Sequence, residues 1–175
     1  NFHVTPAYLQ HFDAVATATD RLGPAERDAC AFIKARRQSV DVLEAALARN
    51  ELHHRPIHGD PKINNVMIDG ASGEAIGLID LDTVKPGLIH YDIGDCVRSC
   101  CNPAGEETLC LNDVRFDMEL CEAILTGYLS VAGGFLSDWD LHYLPHCIRL
   151  IPLELGLRFL TDHLEGDVYF RCDRQ

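Results

Sequence analysis

The sequence is poor in lysine and has no long apolar run. Its three lysines are Lys34, Lys62 and Lys85, and the formal net charge is −12 at pH 7. Nucleic-acid binding requires many basic side chains to neutralise phosphates, so this charge balance argues against such a partner. No apolar run is long enough to span a bilayer, and no signal peptide is recognisable. We therefore expect a cytoplasmic protein that binds neither nucleic acid nor membrane.

Paired cysteine motifs are also missing. Eight cysteines occur, but none forms a C-x-x-C pair. A structural zinc site built from Cys96, Cys100, Cys101 and Cys110 would need ligands grouped in two closely spaced pairs, which these positions do not provide. The pattern therefore favours free thiols in a reducing compartment over a zinc site or a disulfide framework.

The composition is that of one folded domain. The chain has 175 residues, of which 47% are hydrophobic and 24% charged. This length and apolar content are enough for a hydrophobic core and are not typical of a disordered chain. We therefore treat residues 1–175 as a single domain.

Apolar residues at helical spacing predict a mainly α-helical chain. Thr5-Pro6 has the pattern of a helix start, with the Thr hydroxyl as the cap and Pro in the first turn. Further helices are predicted over residues 25–37, 39–48, 92–101, 116–132 and 138–164, and a break near Pro145 or Pro152 is left open. Residues 50–56, Pro86-Gly87 and residues 102–112 are expected to be loops.

One segment has the pattern of a β-hairpin. The short apolar runs 66–68 and 75–79 flank Asp69-Gly70-Ala71-Ser72-Gly73, a sequence typical of a turn. The expected architecture is a helical domain with this single hairpin inserted in it.

The segment before the hairpin contains residues suited to phosphoryl transfer. His58 to Asn65 reads HGDPKINN, and Asp80 follows the second apolar run. Asp60 could orient an acceptor hydroxyl and take its proton, while Lys62 could offset charge on the transferred group. Asn65 and Asp80 supply oxygen ligands of the kind that Mg²⁺ prefers, and a hairpin would bring them together. An Asp with an Asn five positions later is also the spacing of kinase catalytic loops.

The run from Ile57 to Arg98 resembles the aminoglycoside phosphotransferase and choline kinase superfamily, the small-molecule branch of the protein-kinase-like fold. The matching motifs are HGDxxxxN at His58 to Asn65 and Ile-Asp-x-Asp at Ile79 to Asp82. The resemblance implies the helical C-terminal lobe of a kinase-like fold, ATP as co-substrate and Mg²⁺. By position, Asp60 would be the catalytic base, and Asn65 and Asp80 the ligands of Mg²⁺ and, through it, of the nucleotide.

Three further segments are similar to one subgroup, the N-acetylhexosamine 1-kinases, which phosphorylate the anomeric hydroxyl of GlcNAc or GalNAc. These segments are Asp80 to Gly87, Tyr91 to Asp95 and Gly156 to Phe170. The resemblance implies that Arg158 and Tyr169 contact the sugar and that Asp82 lies near the sugar or a second metal. It also implies that His58 and Asp92 support the catalytic loop, Asp92 through backbone N–H groups.

Several assignments have alternatives. Asp92 and Asp95 precede a predicted helix and could cap it instead. Arg158 could belong to a surface ion-pair array with Glu154 and Asp162. His53, His54 and His90 are expected to be polar loop residues.

The acceptor and even the activity also have alternatives. The acceptor could be an aminoglycoside, choline, homoserine or another small alcohol. The chain could also be a sugar-binding fragment without activity.

The nucleotide-binding half of a kinase is not recognisable. Such enzymes place a glycine-rich loop and a strand lysine over the nucleotide phosphates. Here no glycine-rich loop precedes a strand, and Lys34 falls in a predicted helix. We therefore expect these residues to be the C-terminal lobe of a longer kinase, inactive without its N-terminal lobe. The uncovered apolar face would favour a homodimer or swapped packing along the hairpin.

Overall fold

The computed structural model of the chain describes residues 3–19, 22–105, 108 and 110–170. It is mainly helical, as predicted, with two small antiparallel sheets. The helices are α1 (Thr5–Ala18), α2 (Pro24–Arg36), α3 (Val42–Ala48), α4 (Ile89–Cys100), α5 (Met118–Ala132) and α6 (Asp138–Glu165). The strands are β1 (Arg55–Ile57), β2 (Val66–Ile68), β3 (Ala75–Leu78) and β4 (Lys85–Gly87). Single 3₁₀ turns lie at Arg37–Ser39, Ile63–Asn65, Leu81–Thr83 and Leu111–Asp113.

The predicted hairpin is confirmed. Strands β2 and β3 pair antiparallel, with Val66 opposite Leu78 and an irregularity between Met67 and Ile68. The turn closes where Asp69 accepts hydrogen bonds from the backbone N–H and the hydroxyl of Ser72. The hairpin returns the chain so that the backbone N–H of Ile79 donates to the carbonyl of Asn65 at 2.9 Å.

A second strand pair corrects two loop predictions. Strands β1 and β4 pair antiparallel in segments that were expected to be loops, residues 50–56 and Pro86-Gly87. Pro56 lies opposite Pro86, so the two residues without a backbone N–H share one position of the ladder. Each strand has only three residues, too few for the alternation that would have identified them.

The core lies where α4 and α6 pack against each other. Gly94 permits this approach, since a Cβ there would lie 2.5 Å from Cγ1 of Ile151 and 2.8 Å from the carbonyl oxygen of Cys147. A second apolar cluster, centred on Phe12 and Leu157, joins α1 and α2 to α6. Helix α6 therefore contributes to both parts of the core.

Helix α6 runs unbroken past both of its prolines. Its first turn has a capping box, in which Ser137 and Asp140 each bind the other's backbone N–H, and it ends at Gly166 with φ of 101°. Each internal proline removes one helical hydrogen bond. The helix nevertheless buries eleven residues along its length, which compensates for those losses: Asp140, Tyr143, Leu144, Cys147, Leu150, Ile151, Leu153, Glu154, Leu157, Thr161 and Asp162.

Two capping predictions and one loop prediction are wrong. Helix α1 begins at Thr5 without a side-chain cap, because the Thr5 hydroxyl donates to Glu154 instead. Helix α4 begins at Ile89, so neither Asp92 nor Asp95 is its cap. His90 is fully buried in α4, where it bonds the backbone carbonyl of Asp140.

The described cysteines are all free thiols: Cys30, Cys96, Cys100, Cys101, Cys110, Cys121 and Cys147. Burial raises the pKa of Cys147 to about 12, which keeps this thiol neutral. Within the described ranges no His, Cys, Asp and Glu side chains cluster as three or more potential metal ligands. Of the described helices, none combines the length and the apolar character needed to cross a bilayer.

Candidate active site

A tight loop between β1 and β2 carries Asp60. Gly59 enters this loop with φ of 88°, a left-handed conformation that side chains rarely adopt. A Cβ at this position would also lie 2.8 Å from the carbonyl oxygen of Thr83, whose hydroxyl donates to the carbonyl of His58 at 2.7 Å. The glycine therefore lets the loop pack directly against the segment that follows Asp80.

Asp92 in α4 holds the same loop from the other side. Its two carboxylate oxygens accept the backbone N–H groups of His58 and Gly59, at 2.7 and 2.9 Å. Burial raises the pKa of Asp92 above its ordinary value, although the two backbone donors act in the opposite direction. The side chain satisfies two adjacent backbone donors that would otherwise be buried without partners.

The ring of His58 links the loop to the end of the hairpin. Its Nε2 lies 3.0 Å from the carbonyl oxygen of Ile79, and its Nδ1 lies 3.3 Å from the backbone N–H of Asp60. A carbonyl can only accept and an N–H can only donate, so the ring is neutral and carries its proton on Nε2. His58 thus ties Asp60 to the residue that immediately precedes Asp80.

Asp60 is fixed by two donors that reach the same carboxylate oxygen. The ammonium of Lys62 lies 2.8 Å from Oδ2, and the side-chain nitrogen of Asn65 lies 3.3 Å from it. Lys62 was expected to act on the transferred group, and the structure places its ammonium on Asp60 itself. Among the described residues none donates a hydrogen bond to Oδ1 of Asp60. This oxygen is therefore available to accept a hydrogen bond from the hydroxyl group of a substrate.

Asn65 and Asp80 have the donor chemistry of a magnesium site. The Asn65 nitrogen also donates to the backbone carbonyl of Asp60 at 2.8 Å. The backbone carbonyl and the carboxylate of Asp60 are both hydrogen-bond acceptors. The amide nitrogen of Asn65 therefore faces Asp60, and the amide oxygen of Asn65 remains available as a ligand. Asp80 lies beyond Ile79, which is bonded to the Asn65 backbone, and its carboxylate is exposed. One carboxylate and one amide oxygen, on chain segments joined by this backbone hydrogen bond, are ligand types that suit Mg²⁺, which binds proteins through few ligands and keeps several waters.

A cavity of about 750 Å³, here called the Asp60 cavity, opens beside the catalytic loop. Its wall includes Asp60 and Lys62 together with Arg158 and Tyr169, from 96 or more residues further along the chain. The structure thus brings two of the three candidate sugar-contacting residues to Asp60. Asp82, the third, is exposed and does not line this cavity.

Arg158 packs against half-buried aromatic rings, and the segment that carries Tyr169 is bonded to a buried carboxylate. The Arg158 guanidinium carbon lies 5.1 Å from the Tyr8 ring centre and 5.6 Å from that of Phe170. Glu154 and Asp162 are 1% and 6% exposed, so they do not form the surface array considered from the sequence. Asp162 instead accepts backbone N–H groups from residues 168–170, which fixes the segment carrying Tyr169.

Sequence reasoning missed two other groups in the wall of the Asp60 cavity. One is the pair Asp95 and Arg98, in which Arg98 Nε donates to the buried carboxylate at 2.9 Å. The other is His3, which contacts Glu154 and the Gly59 carbonyl. Asp95 stands at the end of the matching segment Tyr91 to Asp95 and was considered as a helix cap, but the sequence indicated no role for it in the site. No local pattern marks His3, because its partners are distant in sequence.

A comparison with family models identifies the class of protein. The model described as the phosphotransferase enzyme family, APH, matches residues 1–133. The match covers the catalytic loop, the hairpin and α4, whereas Arg158 and Tyr169 lie outside it. The chain belongs to this family of phosphotransferases, whose kinases generally use ATP and Mg²⁺.

Proposed function

We propose that this chain carries the catalytic loop and acceptor site of a kinase that transfers the γ-phosphoryl group of ATP to the anomeric hydroxyl of an N-acetylhexosamine. The observation that supports this most strongly is the Asp60 cavity, in which the candidate base meets Arg158 and Tyr169. Its volume of about 750 Å³ falls within the roughly 300–1,000 Å³ range of small-molecule sites.

In the proposed reaction, each side chain of the site has one step. Asp60 orients the acceptor hydroxyl through Oδ1 and takes its proton, while Lys62 and Asn65 hold Oδ2. Asn65 and Asp80 would hold Mg²⁺, which neutralises charge on the nucleotide phosphates when bound. Positioning supplies most of the rate in such reactions, and the contacts of Asp92 and His58 keep the base in place.

The wall of the Asp60 cavity suits a neutral sugar better than a polycation. It combines aromatic side chains with five basic ones (His3, Lys62, Arg98, Arg115 and Arg158) and three acidic ones (Asp60, Asp95 and Glu154). Aromatic rings pack against apolar sugar faces, and the charged groups can bond hydroxyls and an acetamido oxygen. An aminoglycoside is a polycation and would need a cavity wall with more acidic than basic side chains. The net charge of −12, which belongs to the whole chain, therefore does not by itself favour that acceptor.

The nucleotide needs contacts beyond those of Asn65 and Asp80. Lys34 lies in α2, Lys62 contacts Asp60, and Lys85 lies in β4, where burial lowers its pKa. None of these three positions is a strand lysine that follows a glycine-rich loop. Phosphoryl transfer therefore requires a nucleotide-binding lobe in addition to residues 1–175.

The test is an acceptor panel with the full-length protein and Mg-ATP. We expect phosphorylation of GlcNAc or GalNAc, and not of choline, homoserine or an aminoglycoside. Asp60→Asn should lower kcat by about 10²- to 10⁴-fold, since the proton acceptor is lost. Glu74→Gln, which removes an exposed carboxylate from the hairpin, is the matched control and should retain activity.

Two results would contradict the proposal. Transfer to another acceptor class with no transfer to either hexosamine would replace the substrate. Calorimetric binding of GlcNAc or GalNAc without transfer of phosphate by the full-length protein would support the alternative of a non-catalytic sugar-binding module.

A further inference from the structure

His3 connects the catalytic loop to α6 across the interior of the protein. Its Nδ1 lies 2.8 Å from Oε1 of Glu154, and its Nε2 lies 3.2 Å from the carbonyl oxygen of Gly59. The side chain is enclosed, since His3 as a whole is only 6% exposed, and its ring stacks on Tyr91 with centres 5.3 Å apart. His3 is thus a bridge between two elements that meet at the Asp60 cavity.

Both partners of the His3 ring are acceptors. A backbone carbonyl cannot donate, and the Glu154 carboxylate is already an acceptor for the Thr5 hydroxyl, at 2.5 Å. A ring that bonds two acceptors must carry a proton on each nitrogen, so His3 is an imidazolium in this arrangement. A buried carboxylate also requires a compensating charge, which His3 supplies to Glu154.

The groups around His3 favour the protonated ring. Burial lowers the pKa of His3, but the hydrogen bond and charge of Glu154 outweigh it, and the Gly59 carbonyl and the Asp95 charge add to them, so the pKa lies above 6.5. Two further ionisable groups on α4 interact with His3: Tyr91, whose pKa burial raises so that its phenol stays neutral, and Asp92, whose pKa burial raises although the charge of His3 acts in the opposite direction. Asp60, Arg98 and Arg158 line the same cavity from the catalytic loop, α4 and α6.

We infer that His3 is a positioning residue that, as an imidazolium, ties the Gly59 carbonyl to α6 and thereby fixes the position of Asp60. Gly59 immediately precedes Asp60 and has a left-handed conformation with φ of 88°, so its peptide orientation directs the Asp60 backbone. Asp92 holds the N–H side of Gly59, and His3 holds the carbonyl side. This inference rests on the proposed role of Asp60 as the base.

The bridge predicts a dependence on pH. When His3 loses a proton, one ring nitrogen becomes an acceptor and must give up either Glu154 or the Gly59 carbonyl. The bridge is therefore intact below the pKa of His3 and is lost as the pH rises through it. Glu154→Gln removes the adjacent negative charge and should move this alkaline loss of kcat to lower pH.

The kinetic test compares His3→Gln with a matched variant in the full-length protein. His11→Gln is the control, because His11 also contacts a carboxylate of α6, that of Glu165 at 2.8 Å, but at the surface. We expect His3→Gln to lower kcat about tenfold or more with little change in the KM of the acceptor. The alkaline loss of kcat should be absent from the pH profile of His3→Gln. His11→Gln should match the wild type in kcat and in its pH profile.

A second measurement needs neither a variant nor activity. The ¹⁵N chemical shifts of the His3 ring in the wild-type protein report protonation of both nitrogens, and we expect an imidazolium with a pKa above 6.5. A neutral His3 ring at pH 6, or an unchanged pH profile in an active His3→Gln, would overturn the inference. A protein with a protonated His3 and no transfer to any acceptor would instead contradict the proposed function.

Discussion

At the scale of single residues, the loop around Asp60 is held by side chains that bond its backbone. Asp92 accepts two adjacent N–H groups, His58 joins the loop to Ile79, and Thr83 donates to the His58 carbonyl. Each contact satisfies a backbone group that the tight turn leaves unpaired in the interior. The position of Asp60, the proposed base, therefore depends on the side chains of Asp92, His58 and Thr83.

Asp92→Asn tests this dependence. The amide has one acceptor oxygen, so the N–H of His58 or of Gly59 must face its NH₂ group. Leaving one buried donor unpaired should cost about 1–3 kcal/mol in the free energy of unfolding, measured by urea denaturation. We also expect a lower kcat in the full-length protein.

The matched variant for Asp92→Asn is Asp69→Asn. Asp69 also accepts a backbone N–H, that of Ser72, but in the exposed turn of the hairpin. It should unfold at nearly the wild-type urea concentration. Equal stability of the two variants would show that the Asp92 contacts do not support the loop.

The residue types of the site could be predicted from the sequence, but not all of their partners. Asp60, Asn65 and Asp80 stand in a motif whose spacing is local, so their chemistry was recognisable. The pairing of Lys62 with Asp60 depends on a side-chain conformation, and the His3 contact joins residues 56 positions apart. Sequence spacing reports neither of these.

At the scale of elements, the packing of α4 on α6 positions both sides of the Asp60 cavity. Helix α4 carries Asp92 and the pair Asp95 and Arg98, and α6 carries Glu154 and Arg158. Gly94 lies at their closest approach. A change in the distance between these two helices would therefore change the shape of the acceptor site.

Gly94→Ala tests this contact. A Cβ at Gly94 would lie 2.8 Å from the Cys147 carbonyl oxygen, a backbone atom that cannot move alone. We expect destabilisation by about 1–3 kcal/mol, measured as a lower midpoint in urea denaturation.

Gly156→Ala in α6 is the control for Gly94→Ala. A Cβ at Gly156 would meet nothing within 4 Å, and the replacement should stabilise the helix by about 0.5–1 kcal/mol. The same response from both variants would contradict a close approach of α4 and α6 at Gly94.

The elements with a strong local signal were predictable, and those that depend on distant partners were not. The hairpin β2–β3 has apolar runs around a glycine-rich turn, and the helices show apolar periodicity. Strands β1 and β4 contain prolines and are defined only by their pairing across 27 intervening residues, 58–84. The prolines of α6 suggested a break, but tertiary burial along the helix outweighs their local cost.

At the scale of the whole molecule, the hairpin leaves several apolar side chains exposed. All four residues of β3 are exposed, and Ile76 is 61% exposed. Further exposed apolar side chains follow along the same segment: Met67, Ile68, Leu78, Ile79, Leu81 and Val84. Contiguous apolar surface of this kind is typical of an interface, and we propose a second copy of the chain as the partner of residues 1–175 alone.

Light scattering of residues 1–175 across a range of concentrations tests this association. We expect a dimer at high concentration and a monomer for Ile76→Lys, since a charge at the interface would be buried without a partner. Val131→Lys is the control, because Val131 is 82% exposed and lies on α5 and not on the hairpin. The Val131→Lys chain should still dimerise. A wild-type chain that stays monomeric at high concentration would contradict the prediction.

The backbone at Asp80 limits which residues this position can hold. Asp80 has φ of 64° and ψ of 58°, the left-handed region that Asn and Asp tolerate best among residues with side chains. A glycine would meet the conformational requirement but supply no side-chain oxygen, and a glutamate would supply the oxygen but strain the backbone. Aspartate and asparagine are therefore the residues with side chains that fit this position best, and only aspartate also brings the negative charge that the proposed Mg²⁺ would favour.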